Sequence, residues 1–271
     1  MPQSWVTTKT GTDCSLVTAT IPDAAALSSD AFERAVRDAY LRLADAIARL
    51  GQHPVRFWNF IPHLNARVAD GLDRYMVFNV GRYDACVEWM GSAAGFDQRL
   101  ATASAVGIAA PDLRVHCLTS VTPGAPVENP RQVPAYRYSS RFGPRQPCFA
   151  RATRVSLDGR LRLLIGGTAS IVGEESVHVG QPAAQATEAL ANVEALIARE
   201  IGSTTPPLAR LASVRLYFRN GAHGRAVREI VQRRCGSHTR IGCVIAQICR
   251  PELLLEMEGV ADLSPDVTDL G

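Results

Sequence analysis

The sequence predicts an α+β protein built from two similar lobes, each a mixed β-sheet with helices packed on one face. Two observations lead to this prediction. The second half of the chain alternates strand-like and helix-like segments in the order β-β-α-β-α-β-β, and the first half repeats much of that order. Strand pairs that flank a mixed run of helices and strands are typical of a layer of helices on a sheet.

The elements of the second half follow from turn residues and apolar periodicity. The pair Asp158-Gly159 separates two strand-like segments, CFARATRVSL and LRLLIGGTASIV, as in a β-hairpin. A helix then starts at Pro182, because apolar residues recur there at helical spacing. The remaining elements are the strand ARLASVRLYF, a short helix near 223–234, and the strands IGCVIAQIC and LLLEMEGVA.

The first half resembles the second in the order of its elements, although residue identity between the halves is slight. The predicted elements are a helix near 30–50, the strand PVRFWNFI at 54–61, a helix near 69–91, and strands near 101–108 and 113–119.

We therefore divide the chain into three parts. Residues 1–120 form an N-terminal lobe, residues 150–271 form a C-terminal catalytic lobe, and residues 121–149 connect them. This connector is rich in proline, glycine and arginine and also carries aromatic residues. Long ordered loops of this kind are often functional, so we expect the connector to contribute to an active site.

The composition excludes several classes of partner. The chain is 46% hydrophobic and 20% charged, and no run of about 18 uncharged apolar residues predicts a membrane helix. A net charge of +3, with no block of clustered basic residues, argues against nucleic acid. No basic segment followed by an apolar stretch opens the chain, so we expect a cytoplasmic protein.

Metal, cofactor and Schiff-base chemistry also have little support. The seven cysteines are scattered, and Cys235-x-x-His238 lacks a second pair of ligands, so we expect no metal site. No glycine-rich nucleotide-binding motif occurs. Because Lys9 is the only lysine, any anion site must be built from arginines, whose planar fork matches carboxylates.

Two glutamates stand in the most apolar part of the last predicted strand. Side chains alternate across a strand, so Glu256 and Glu258 share one face. Two neighbouring carboxylates in apolar surroundings raise each other's pKa, and a carboxylic acid that stays protonated near neutral pH is a general acid. Taken alone, the alternation favours a solvated strand edge, where both glutamates only keep the edge soluble.

The connector and the strand after it carry four arginines and two tyrosines within sixteen residues. Tyr138, Arg141, Arg145 and Arg151 are candidate ligands of a small dicarboxylate, although a solvated surface loop has the same composition. Downstream, the segment Gly166–Ser170 lies at a strand end. Glycines at such a position either let a ligand approach the backbone at Gly167, Thr168 and Ala169 or form a bulge.

These residues lie in motifs that resemble a known family. The last 100 residues resemble the RidA/YjgF fold. Residues 52–262 are similar to the chorismatases, through FWNFIP, YMVFNVGRYDAC, SAVG, AYRYSSRFGPRQPCFARA, LLIGGTASIVGEESVH and ICRPELLLEMEG. The resemblance implies two RidA/YjgF-like (chorismate-mutase-like) lobes, of which the first is degenerate.

The resemblance also implies an activity. Chorismatases cleave chorismate, without a cofactor, into pyruvate and a six-membered-ring acid. The acid of the family matches Glu256, and Glu258 is expected to adjust its pKa. Carboxylate binding is assigned to Arg141, Arg151 and Arg219, with Tyr138 as a hydrogen-bond donor and the backbone at Gly167–Ala169 near the pyruvyl end.

Two positions point to different ring products. Cys249 matches a cysteine of the family members that form 3-hydroxybenzoate, sometimes with 4-hydroxybenzoate, and this product is favoured. Ala169 instead matches the hydrolytic members, which form a dihydroxycyclohexadiene carboxylate. A third reading, a non-catalytic RidA-like protein that binds aromatic acids, stays open. Ile241, where the RidA imine deaminases have an arginine, argues against deamination. Both a monomer and a homotrimer are compatible with the sequence.

Overall fold

Both lobes begin with a β-hairpin in the computed structural model, which describes residues 4–68, 71–201 and 206–264. The N-terminal lobe contains β1 (Trp5–Thr10), β2 (Cys14–Ile21), α1 (Ser29–Leu50), β3 (His53–Pro62), α2 (Arg74–Met90), α3 (Phe96–Arg99), β4 (Thr102–Ile108) and β5 (Leu113–Ser120). Its sheet has the order β1-β2-β5-β3-β4, in which only the β3–β4 pair is parallel.

The C-terminal lobe repeats this topology. Its elements are β6 (Ala125–Val127), β7 (Ala152–Leu157), β8 (Arg160–Thr168), β9 (Ile171–Val172), β10 (Glu175–Ser176), α4 (Pro182–Glu200), β11 (Leu211–Phe218), α5 (Gly224–Cys235), β12 (Arg240–Ile245) and β13 (Leu255–Asp262). The sheet order is β12-β11-β13-β8-β7-β6, and only the β11–β12 pair is parallel.

The two sheets therefore match strand for strand. Reading from the hairpin, β7, β8, β13, β11 and β12 occupy the positions of β1, β2, β5, β3 and β4, and the connector adds β6 at the edge. The predicted α+β class with two similar lobes is confirmed. The β1–β2 hairpin was not predicted, because β1 is an exposed edge strand whose threonine-rich sequence does not alternate between apolar and polar residues.

The long helices begin and end where capping residues stand. Ser28 accepts a hydrogen bond from Ala31 N before α1, and Gly51 ends that helix with φ of 62°. Asp73 accepts one from Met76 N, so α2 begins at Arg74 rather than near residue 69. Residues 69–70 of the predicted helix lie outside the described residues.

Each lobe buries its own core between helices and sheet. In the N-terminal lobe, α1 packs Phe32, Tyr40 and Leu43 against Phe57 of β3. In the C-terminal lobe, the apolar side of α4 packs against the face of β13 that carries Leu255 and Met257. The opposite face of β13, which carries both glutamates, is turned toward the N-terminal lobe. This orientation places polar side chains at the junction of the lobes.

Backbone hydrogen bonds tie the lobes together. Gly107 of β4 pairs with Gln247, through N–H···O distances of 2.9 and 3.2 Å in the two directions. A β-carbon at Gly107 would lie 2.6 Å from Cβ of Gln247, so glycine permits this close contact. Among the described residues, no helix is long and apolar enough to cross a membrane.

Candidate active site

A cavity of about 230 Å³ lies where the two lobes and the connector meet. The N-terminal lobe contributes side chains from α2 and β4, the connector contributes Tyr138 and Phe142, and the C-terminal lobe contributes β8, β13 and the segment before β13. The titratable side chains that border the cavity are Arg67, Asp73, Tyr75, Arg82, Tyr138, Arg141, Arg151, Cys249, Arg250, Glu252 and Glu256.

Glu256 is buried at the floor of this cavity, with 4% of its surface exposed. Within the described residues, its Oε1 atom is buried and has no hydrogen-bond partner. Burial and then the negative charge of Glu258 raise the pKa of Glu256 to about 8, against the weaker opposing charges of Arg56 and Arg151. The side chain is therefore a protonated carboxylic acid at neutral pH.

A β-bulge makes room for this acid. Met257 pairs with Thr168 and Gly259 pairs with Ile165, so Glu258 alone faces Gly166 and Gly167. A β-carbon added at Gly167 would lie 2.7 Å from Cδ of Glu256. The glycine segment is thus a bulge, one of the two predicted readings, and Gly167 lets the Glu256 carboxyl group lie against the backbone.

Glu258 has a different environment, although it shares a face with Glu256. Its carboxylate bonds to Arg56 Nη2 at 2.6 Å, Arg215 Nη1 at 2.9 Å and Ser104 Oγ at 2.5 Å. Trp58 Nε1 and the Tyr217 hydroxyl donate to Oε1 at 3.0 and 3.1 Å. Burial acts to raise the pKa of Glu258, but Arg56, Ser104 and Arg215 together lower it below the ordinary value. Glu258 is therefore a fixed negative charge next to a protonated acid.

Three buried arginines at the cavity lack a carboxylate partner among the described residues. Arg151 donates through Nη2 to Val133 O at 2.8 Å and to the Tyr138 hydroxyl at 2.6 Å. Arg250 donates to Glu174 O at 2.8 Å and Ser176 Oγ at 3.1 Å. Arg82, which is 2% exposed, lies against the ring of Tyr40. Buried guanidinium groups without counterions provide strong binding positions for an anionic ligand.

Cys249 borders the cavity as a neutral thiol. Burial and then the charge of Glu256 raise its pKa to about 12, so the thiolate form is negligible at neutral pH. The Cys249 side chain packs against the apolar clusters of both lobes. Its chemistry at this position is that of a compact, weakly polar wall rather than of a nucleophile.

The structure brings together most of the predicted site residues. Those that border the cavity are Tyr138, Arg141, Arg151, Gly167, Ala169, Cys249 and Glu256. Arg141 lies at the exposed mouth, where it pairs with Glu174 and Glu175. Thr168 is buried behind the bulge and donates to Gly166 O at 2.9 Å. Glu258 does not border this cavity. It is surrounded by its hydrogen-bond donors and borders a separate groove.

The structure places Arg145 and Arg219, two predicted carboxylate ligands, outside the cavity lining. Arg145 lies 3.7 Å from Asp84 on the surface of α2, with its guanidinium over the Tyr83 ring. Arg219 follows β11 at an exposed position, and its backbone N–H bonds to Leu254 O at 3.1 Å.

Sequence reasoning missed Arg82 and Arg250. Both stand inside the quoted motifs, YMVFNVGRYDAC and ICRPELLLEMEG, and the direct succession of Cys249 and Arg250 was an available signal. Arg82 gives a weaker signal, an arginine one helical turn from the apolar residues Phe78 and Cys86 on the buried side of α2. Its exposure to the cavity depends on how the lobes dock, which local sequence does not reveal.

The fold is a two-lobed α+β fold, and its site is typical of an enzyme. One cavity contains a protonated carboxylic acid and arginines that have no carboxylate partner among the described residues. Comparisons agree with this class. Residues 3–119 match the family model described as chorismatase FkbO/Hyg5-like, N-terminal. A crystal structure of a chorismatase superposes with a TM-score of 0.80 at 26% identity, and covers 94% of this chain and 78% of that chain.

Two curated relatives come from Streptomyces. A 3-hydroxybenzoate synthase of Streptomyces hygroscopicus is 34% identical over 240 residues, which cover 84% of this chain and 69% of that protein. A chorismatase of Streptomyces rapamycinicus is 36% identical over 236 residues, which cover 82% of this chain and 68% of that protein. The chain belongs to the chorismatase family.

Proposed function

We propose that the protein is a chorismatase that cleaves chorismate into pyruvate and a hydroxybenzoate, with 3-hydroxybenzoate as the favoured product. The observation that carries this proposal is the presence, in one cavity, of protonated Glu256 and three buried arginines that have no carboxylate partner among the residues that the structure describes. Chorismate has two carboxylates and an acid-labile enolpyruvyl ether, so both features have a counterpart in the substrate. The names of the relatives support the same substrate.

Glu256 acts as the general acid in this mechanism. It delivers its proton to the terminal methylene carbon of the enolpyruvyl group, which creates an oxocarbenium ion and weakens the bond between the ether oxygen and the ring. An acid with a pKa of about 8 is both protonated and able to give up its proton near neutral pH. No cofactor takes part in the proposed reaction.

The arginines orient the substrate. Arg151 is held by Val133 and Tyr138 through Nη2, and Arg250 is held by Glu174 and Ser176 through Nη1. Within the described parts of the chain, the other Nη atom of each arginine has no hydrogen-bond partner. We assign these two as the principal carboxylate ligands, with Arg82 as a third and Tyr138 as an oriented hydroxyl. Holding a reactant in one geometry against an acid lowers the barrier by several kcal/mol.

Glu258 is a positioning residue, because it does not border the cavity. Its fixed negative charge keeps the pKa of Glu256 high. The five donors around it, drawn from both lobes, also hold β13 in register against the N-terminal lobe. The two glutamates of one strand face thus have opposite protonation states, a common arrangement for an acid and its electrostatic partner.

The ring product depends on the oxygen that bonds to the ring carbon from which pyruvate departs. In the hydroxybenzoate branch this is the hydroxyl on the adjacent ring carbon, and the ring then loses one proton to become aromatic, which restores protonated Glu256. Pyruvate and hydroxybenzoate together contain the atoms of chorismate, whereas the hydrolytic branch takes up one water. We assign Cys249 as the wall that limits water beside the ring, which favours the hydroxybenzoate. The observation that favours the hydrolytic branch is that Ala169, which matches the hydrolytic members, also borders the cavity. Its carbonyl oxygen accepts a hydrogen bond from Asn192 Nδ2 at 3.1 Å.

We further infer that one chain forms the whole site, because both lobes and the connector of a single chain surround the cavity. A monomer therefore satisfies the proposal, and a homotrimer is the alternative.

The seven cysteines, all of which lie within the described residues, are free thiols. They support the cytoplasmic location that the sequence predicts, because thiols stay reduced there.

Incubation of the protein with chorismate tests the proposal. Pyruvate is quantified with a coupled dehydrogenase, and the ring product is identified by chromatography and mass. We expect equimolar pyruvate and hydroxybenzoate. Equimolar pyruvate with a dihydroxycyclohexadiene carboxylate would assign the hydrolytic branch. Saturable binding of chorismate without release of pyruvate would instead identify a binding protein and contradict the proposal.

A further inference from the structure

A second concavity, of about 460 Å³, lies further along β13 beyond Glu258. We call it the outer groove. One side is formed by β3 and β5 of the N-terminal lobe, and the other by β11, β12 and β13 together with the β7–β8 hairpin. Its polar lining consists of Arg56, Trp58, Asp158, Arg162, Ser213, Arg215, Arg240 and Glu258.

The arginines of the outer groove stand on one face because of strand register. Ser213 pairs with Arg240, and Arg215 pairs with Gly242, in the parallel β11–β12 ladder. Paired residues and residues two positions apart share a face, so Arg215 and Arg240 point to the same side of the sheet. Gly242 leaves the floor open, since a β-carbon added there meets no described atom within 4 Å.

The groove carries an excess of positive charge, because four guanidinium groups face the two carboxylates of Asp158 and Glu258. Arg56 is fully engaged with Glu258 and Ser104, and Arg162 lies 3.7 Å from Asp262. Arg215 bonds to Glu258 and Tyr217 through Nη1, and its other donors have no partner in the part of the chain that the structure describes. Arg240 makes no ion pair with the residues that the structure describes. The available donors are therefore on Arg215 and Arg240.

Part of the lining is apolar. Leu118 of β5, Leu157 of β7 and Val260 of β13 are partly buried around the buried side chain of Leu164 of β8, and the indole of Trp58 stands beside them. A ligand that satisfies both parts of the lining has an anionic end that matches a guanidinium fork and a flat apolar body. A phosphate or sulfate would leave the apolar part without a partner, and a neutral ring would leave the arginines without one.

We propose that the outer groove is a second binding site, separate from the catalytic cavity, for a small aromatic monocarboxylate. Its carboxylate lies between Arg215 and Arg240, and its ring lies against Trp58 and the leucines. This inference does not depend on turnover of chorismate. Only one extension rests on the proposed function: a hydroxybenzoate released from the cavity has the chemistry that this groove binds.

The test is a ¹⁹F NMR titration with 4-fluorobenzoate in the absence of chorismate. The variant Arg151→Gln weakens the catalytic cavity as a carboxylate site, and we expect it to retain saturable binding. Gly242→Phe fills the groove and should abolish this remaining binding in an Arg151→Gln background. Arg240→Gln should weaken it by about tenfold or more, the loss expected for a hydrogen bond to a charged group.

Two controls make the result decisive. 4-Fluorobenzamide, which has the same ring without the charge, should bind about tenfold more weakly or worse if the arginines hold a carboxylate. Circular dichroism melting curves should show that Gly242→Phe and Arg240→Gln are folded. Binding that Arg151→Gln abolishes, or that both groove variants leave unchanged, would overturn the proposal. Failure of chorismate cleavage would leave this titration unaffected, so the two hypotheses are tested separately.

Discussion

The carboxyl group of Glu256 lies directly against the backbone of Gly167, so closely that a β-carbon at Gly167 would be 2.7 Å from Cδ of Glu256. This contact connects two features that the sequence presents separately, a glycine pair in β8 and a glutamate in β13. Oε1 of this buried acid has no hydrogen-bond partner among the described residues.

Substitution Gly167→Ala should therefore displace the acid. We expect kcat for pyruvate release to fall by about 100-fold, because a misplaced acid loses the contribution of general acid catalysis, while KM changes little. The shorter acid in Gly167→Ala/Glu256→Asp should recover part of the loss. Gly242→Ala is the matched control, since its β-carbon meets open space. Equal losses in both alanine variants would contradict the role of Gly167.

The pH dependence follows from the two carboxyl groups. Glu256 must be protonated to act, and its pKa in the free protein is raised to about 8, so kcat/KM should be nearly constant up to pH 7 and should decrease as the pH rises through 8. Glu258→Gln removes a neighbouring negative charge and leaves Arg56 and Arg215 unpaired. Both changes favour ionised Glu256, so the decrease should begin at a lower pH. If activity decreased at the same pH in Glu258→Gln as in the wild type, the claim that Glu258 raises the pKa of Glu256 would be contradicted.

The same Glu258→Gln variant should lower the stability of the protein. Removing one partner of a buried ion pair costs about 3–5 kcal/mol in other proteins. The Glu258 carboxylate bridges donors of both lobes, so we expect a clear decrease in the free energy of unfolding, measured with urea. The surface pair Arg225–Glu229 provides the control, because Glu229→Gln removes an exposed pair that contributes about 0–1 kcal/mol.

The arginines divide into two groups with different expected effects. Arg151→Gln and Arg250→Gln each remove a buried guanidinium from the cavity, and KM for chorismate should rise about tenfold or more, since hydrogen bonds to charged groups contribute about 1.5–3 kcal/mol. Arg145→Gln and Arg219→Gln change residues outside the cavity lining and should leave KM within about twofold. Steady-state kinetics on the four variants check this division. A larger effect from the second pair would restore the sequence-based assignment.

Much of the fold was predictable, because local signals and tertiary structure agree. The helix start at Pro182 and the turn Asp158-Gly159 both stand at the ends of observed elements. The alternation that put Glu256 and Glu258 on one face also holds. The alternation does not predict that the two glutamates have opposite protonation states. These depend on Arg56, Trp58 and other residues that are distant in the chain.

The arginines show the limit of local reasoning more clearly. Arg141 and Arg145 stand in the same connector, yet one lies at the cavity mouth and the other pairs with Asp84 on α2. Arg82 reaches the cavity only because α2 docks beside the connector. Composition and spacing indicated an anion site made of arginines, and the docking of the two lobes determined which arginines form it.

The central claim, that Glu256 is the proton donor, is tested most directly by Glu256→Gln. This substitution keeps the shape of the side chain and removes its transferable proton. We expect pyruvate release from chorismate to fall by about 100-fold or more, the contribution of a positioned general acid. KM should stay near the wild-type value, because the arginines still hold the substrate. Pyruvate release within about tenfold of wild type would contradict the mechanism.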